Sequence, residues 1–106
     1  MWFVFPQIAG LGQSAMSRKY AIASIVEARA YLQDPVLGPR LIECTRLVLR
    51  HSALSATEIF GSPDDDKFHS SMTLFSIASP GATVFATALD TFFDGHPDRN
   101  TMTRVG

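Results

Sequence analysis

The sequence predicts an all-α fold, a compact single-domain bundle of about five helices with short capped turns, and three observations predict it. Apolar residues recur at spacings of three and four. Gly and Pro fall in short clusters that punctuate the chain at helical lengths, and Ser or Asp stands where a helix start needs a side-chain cap. Alternation with a period of two, the mark of a half-buried strand, is scarce. A length of 106 residues suits one hydrophobic core, so residues 1–106 are read as a single helical domain.

Ser24 followed by Glu27 has the spacing of a capping box, which opens a helix running to about Gln33. Asp34 and Pro35 suit a cap and first position for the next helix, although Gly38-Pro39 could equally mark its start, with the preceding "DPVL" as a turn. Leu37, Leu41, Cys44, Thr45 and Val48 form one stripe of that helix, and Glu43, Arg46 and Arg50 fall on another face. Ser55 and Glu58 repeat the capping box for a short turn stopped by Gly61. A helix over 63–79 carries Phe68, Met72 and Phe75 on one side. Another over 82–94 carries Phe85, Leu89, Phe92 and Phe93, with Pro80-Gly81 and Gly95 as breaks.

Composition excludes several classes. A chain that is 46% hydrophobic and 18% charged is too apolar to be disordered. A net charge of -1 does not provide the cationic face that phosphate backbones require, so no nucleic-acid partner is expected. The opening "MWFVFPQ" is too short and lacks the basic flank for a signal peptide or a membrane span, so no membrane is expected. A lone cysteine, Cys44, fits a reducing cytoplasm and, on the apolar stripe, a small core residue. The charge is uneven: residues 1–53 hold six basic and three acidic side chains, and residues 54–106 three and seven. Helices of opposite charge packed together, or a basic face for an anion, would follow.

Two stretches invite a chemical reading. In "GSPDDDKFHSSMTLF", Ser62 suits an N-cap, Pro63 the first helical position, Asp64 the first turn and Asp65 the reciprocal acceptor of a capping box. Asp65 and His69 share a helix face, but two ligands do not hold a metal, and none is expected. Asp66 is left over, as are Ser70 and Ser71, which could bond a ligand or a neighbouring backbone. In "GLGQSA" the dinucleotide pattern of glycines is present, but Pro6 and Gln7 interrupt the strand it needs and no parallel sheet follows. What remains is a glycine loop, Gly10 and Gly12, followed by Ser14, Ser17, Arg18 and Lys19, whose N–H groups, hydroxyls and cations suit a phosphate. Trp2 beside Gln7 could stack on a base.

The stretches "MWFVFPQIAGLGQSAMSRKYAI", "AYLQDPVLGPRLIEC" and "IFGSPDDDKFHSSMTLF" closely resemble family 1810 of the domains of unknown function, small bacterial helical proteins. The likeness continues through "FFDGHPDRNTM". It implies an all-α fold and brings no established activity. Relatives often carry the label calpastatin, which describes a polar, disordered protein and does not suit this composition. The resemblance further implies a helix ahead of Met1, ending in a Ser-His-Trp stretch, that this chain lacks. Uncovering about 400 Å² of apolar surface would cost about 10 kcal/mol at ~25 cal/mol per Å². A marginal fold, or a homo-oligomer through exposed Trp2, Phe3, Val4 and Phe5, is then expected. Asp34 and His69 stand where the family usually has His and Arg.

Two functions are weighed. One is a binder of a phosphate-bearing small ligand, a nucleotide or ADP-ribose-like compound, held by Trp2, Gln7, Gly10, Gly12, Ser14, Ser17, Arg18, Lys19, Ser62, Asp64 and Ser71. An enzyme version would use Asp65 or Asp66 as general base and needs no cofactor. The other is a non-catalytic protein–protein interaction domain using the 2–5 patch. A concave polar pocket favours the first and a flat apolar face the second.

Overall fold

A computed structural model of the chain describes residues 4–11 and 21–105. These residues form six α-helices and no strand: α1 (Ile25–Gln33), α2 (Leu37–Leu49), α3 (Ala56–Phe60), α4 (Asp64–Ala78), α5 (Thr83–Phe93) and α6 (Arg99–Val105). The expected all-α bundle is present, with one helix more than the sequence announced. Ahead of α1, a single parallel bridge joins Ile8 to Ile22, through Ala9 N–H to the Ile22 carbonyl and Ile22 N–H to the Gln7 carbonyl, both at 2.7 Å.

The helix starts show local chemistry deciding boundaries. Ser24 Oγ accepts from Glu27 N–H, while the Glu27 carboxylate reaches back to Ala23 N–H rather than to Ser24 itself. At α3 the capping box of Ser55 and Glu58 is complete in both directions, and Gly61 ends the helix at φ 75°. At α2 the two starts suggested by the sequence are both partly realised. The helix begins at Leu37 after a turn, and the Asp34 carboxylate accepts from Val36 and Leu37 N–H at 2.9 Å each.

The start of α4 corrects the sequence reading. Pro63, not Ser62, stands at the cap position, and no side chain caps it. Asp65 does not reach back to close a capping box. Its Oδ2 accepts from Thr57 Oγ1 of α3 at 2.6 Å, and its Oδ1 accepts from Asp66 N–H. The tertiary partner on α3 has taken the carboxylate that local spacing assigned to the cap.

Helix α4 is the centre of the molecule and packs against α1, α3, α5 and α6, while α2 closes the bundle against α1 and α5. Phe68, Met72, Leu74 and Phe75 are wholly buried on it, joined by Leu41 of α2 and Phe85 and Ala88 of α5. Its buried hydroxyls are mostly satisfied by the carbonyl one turn back: Ser70 to Asp66 and Thr73 to His69, each at 2.9 Å. At the α1–α2 crossing the backbones touch so closely that a Cβ on Gly38 would lie 2.0 Å from the Leu32 carbonyl oxygen. That contact explains this glycine better than a helix boundary does.

The expected apolar patch is corrected at Phe5. Only 4% of Phe5 is exposed, because its ring stands edge-on against Phe60 (6.0 Å) and Phe68 (5.0 Å) in an aromatic cluster that Phe92 extends. Val4 is half-buried, and Trp2 and Phe3 lie outside the described residues. An ion pair between Lys67 and Asp64, at 3.5 Å, lies within the acidic half.

Candidate functional site

Three separate segments converge on one cleft of about 330 Å³: the loop after Phe5, the first turns of α4 and the start of α6. Each is anchored from beneath. Burial of Phe5 and Ile8, and the bridge to Ile22, fix the backbone of Gln7, so its side chain is delivered to the cleft from a rigid base. Pro63, Asp66, Lys67 and Ser70 come from the beginning of α4, where positions 66 and 70 lie one turn apart on the same face. Asp98 comes from the residue just before α6 and Asn100 from its first turn, and Leu11 closes the side.

Asp98 holds that third wall in place. Its Oδ2 accepts from Thr101 N–H at 2.9 Å and from the buried Thr101 hydroxyl at 2.7 Å, while its own N–H donates to Thr73 Oγ1 at 2.8 Å. The Ser70 hydroxyl is shared between the Asp66 carbonyl and the Asp98 carboxylate, at 2.9 and 3.3 Å. This is a helix cap and a tertiary dock in one side chain. Nearby, His69 lies flat on Phe93 (3.9 Å, 5° between planes) and its Nε2–H donates to the His96 carbonyl at 2.7 Å, bracing the same turn.

Against these committed groups stand others that are not. Gln7 is only 9% exposed, yet its side-chain amide makes no hydrogen bond to the described residues. The Asp66 carboxylate and the Asn100 amide likewise have none among them. The Gln7 amide, the Asp66 carboxylate and the Asn100 amide thus line one concave polar space with donors and acceptors that no other described residue uses. The cleft offers amide donors, amide and carboxylate acceptors and one ammonium, Lys67, which also pairs with Asp64. Such a set suits hydroxyl-rich molecules, whose O–H groups both donate and accept. The described residues contain no group of three or more His, Cys, Asp or Glu that could hold a metal.

A second cavity of about 300 Å³, lined by Gly10, Leu11, Asn100, Thr103 and Arg104, adjoins the first through Leu11 and Asn100. A third cleft, of about 310 Å³, opens elsewhere between α1, α2 and the end of α4. Its arginine, Arg29, donates Nε–H to the Ala78 carbonyl at 3.1 Å and thereby caps α4.

Of the residues singled out in the sequence, Gln7 and Asp66 meet in the first cleft and Gly10 lines the second. Asp64 pairs with Lys67, Asp65 is turned toward α3, and Ser62 is exposed in the preceding turn. Ser71 does not reach this cleft. It is fully buried on α4, and its hydroxyl has no partner among the described residues. Gly12, Ser14, Ser17, Arg18 and Lys19, like Trp2, lie outside the described residues. Sequence reasoning passed over Lys67, Asp98, Asn100 and Arg104. For Asp98 a signal existed, since an aspartate three residues before Thr101 and just after Gly95 and Pro97 has the pattern of a helix start.

Comparison with known proteins agrees with this fold. The family described as "Protein of unknown function (DUF1810)" matches residues 1–105. Among solved structures, the conserved hypothetical protein Rv1873 from Mycobacterium tuberculosis superposes with a TM-score of 0.95 at 49% identity, covering 98% of this chain and 74% of that one. No curated protein matches.

Proposed function

The chain belongs to the DUF1810 family of proteins of unknown function, and we propose that it is a binding protein for a small, hydroxyl-rich, phosphate-bearing ligand of nucleotide or ADP-ribose type, seated in the Gln7–Asp66–Asn100 cleft. The observation that carries this reading is the convergence of the Gln7, Asp66 and Asn100 side chains, none hydrogen-bonded to another described residue, on one concave polar cleft, with Gln7 on a backbone fixed by the bridge to Ile22. A volume of about 330 Å³ falls at the small end of ligand pockets. If a reaction occurs in the cleft, Asp66 rather than Asp65 is the carboxylate placed to take a proton from a bound hydroxyl. A cytoplasmic site of action suits the single, half-buried Cys44.

A thermal-shift titration with AMP and ADP-ribose tests the reading. The melting temperature should climb with ligand concentration, corresponding to about 2.7 kcal/mol of stabilisation at a hundred times Kd, and the climb should vanish in Gln7→Leu and Asp66→Asn. A flat response from a cooperatively melting protein would sink the proposal.

A further inference from the structure

The first cleft presents a charge problem for a phosphate. Among the described residues, Asp66 and Asp98 contribute two negative charges against the one ammonium of Lys67, and these two carboxylates repel an anionic group placed beside them. The adjoining cavity has the opposite character. Its one ionisable side chain among the described residues is Arg104, and it continues the first cleft across Leu11 and Asn100.

Arg104 is held there from the other end of the chain. One Nη2 hydrogen donates to the Gly10 carbonyl at 3.2 Å, across 94 positions of sequence. Gly10 sits at φ 96°, which favours glycine, and a Cβ at this position would lie 2.9 Å from the guanidinium carbon. Conformation and space therefore both call for glycine, and its absent side chain lets the guanidinium approach the loop backbone. A guanidinium carries five N–H donors, and the one carbonyl it meets among the described residues leaves enough of them for a two-pronged grip on an anion.

We infer that Arg104 is the anion-holding residue of this site: the phosphate end of the ligand lies in the Gly10–Thr103–Arg104 cavity and its hydroxyl-rich part in the Gln7–Asp66–Asn100 cleft. This rests on the reading of the first cleft given above and assigns its ligand a polarity. The glycine loop acts on phosphate through a cation from the last helix. A ligand with both parts spans both cavities, and neither a bare sugar nor a bare phosphate fills them.

Isothermal titration of the full chain with ribose 5-phosphate, ribose and pyrophosphate tests the assignment. Ribose 5-phosphate should bind tightest of the three. Arg104→Gln should weaken ribose 5-phosphate and pyrophosphate at least tenfold while leaving ribose unchanged, and Arg104→Lys should recover part of the loss. Asp66→Asn should act with the opposite selectivity, weakening ribose and tightening pyrophosphate by removal of the neighbouring negative charge. If ribose 5-phosphate binding is lost in Asp66→Asn and Gln7→Leu but unchanged in Arg104→Gln, the Arg104 assignment falls and the first cleft stands. If Arg104→Gln weakens all three probes equally and lowers the melting temperature, Arg104 merely docks α6 and the assignment falls. If no probe binds the wild-type chain, both readings fall.

Discussion

Gly38→Ala sets two physical effects against each other. On α2 considered alone, alanine is the better helix former by about 0.8–1 kcal/mol, so the substitution should stabilise the protein. In the bundle, the added methyl would stand 2.0 Å from the Leu32 carbonyl oxygen and 2.8 Å from its carbon, both backbone atoms of α1 that no rotamer change can move. Relief requires α1 and α2 to part by more than about 1 Å, loosening contacts on both sides of the crossing. Overpacking of this kind costs typically ~1–3 kcal/mol, and because the obstacle is backbone the upper end is expected. A net loss of about 2 kcal/mol lowers the melting temperature by roughly 10 °C in a domain of this size. Urea denaturation followed by far-ultraviolet circular dichroism measures it. An unchanged or raised midpoint would mean that helix propensity governs the position, and would refute the close approach of the two helices.

Other substitutions report on the remaining joints. Asp98→Ala removes the cap of α6 and strands the buried Thr101 hydroxyl, so a loss of about 2–3 kcal/mol is expected by urea denaturation, with Asp98→Asn losing less. Burial, opposed by the nearby Arg40, raises the Tyr31 phenol above its ordinary value of 10.0. The folded state thus favours the neutral form, and its contribution is complete below pH 10.0 and lost as pH rises through the folded value. Tyr31→Phe should flatten the alkaline limb of a stability–pH profile. Asp34 behaves in the reverse sense. The N–H groups of Leu37 and Val36 hold its carboxyl below the ordinary 3.8, so its contribution is present above that pH and disappears as pH falls through the folded value. Asp34→Asn should flatten the acid limb, and carboxyl NMR titration of the wild type should place Asp34 below 3.8.

Where structure follows from neighbours in sequence, it was legible. Ser24 and Ser55 cap as spacing requires, Gly61 stops α3, and Leu41, Thr45 and Val48 form the buried stripe of α2. Where a distant partner intervened, it was not. Asp65 matches the acceptor position of a capping box, but Thr57 stands within 2.6 Å and takes the carboxylate. Helix α6 escapes a sequence reading because seven residues carrying two arginines and an asparagine show little apolar periodicity; it is held by Asp98, which caps it and docks on Thr73, and by burial of Thr101. The burial of Ser71 was hidden for a related reason. Helix α4 is enclosed on nearly all sides, so its hydroxyls enter the core without any amphipathic pattern to betray them. The site divides the same way. Gln7, Gly10 and Asp66 were noticed one by one, whereas their meeting with Asp98, Asn100 and Arg104 is a property of the tertiary fold.

The contact between Gly10 and Arg104 also dictates an order of events as the protein folds. The helices themselves form from local contacts, but the cleft requires segments around positions 7, 66 and 98 to meet, which closes almost the longest loop this chain can make. Loop closure on that scale comes after the entropy of the intervening chain has been offset by core packing. In a refolding experiment, helical circular dichroism should therefore recover before the Gly10–Arg104 contact re-forms, and the lag between the two would measure the arrival of α6 on the loop.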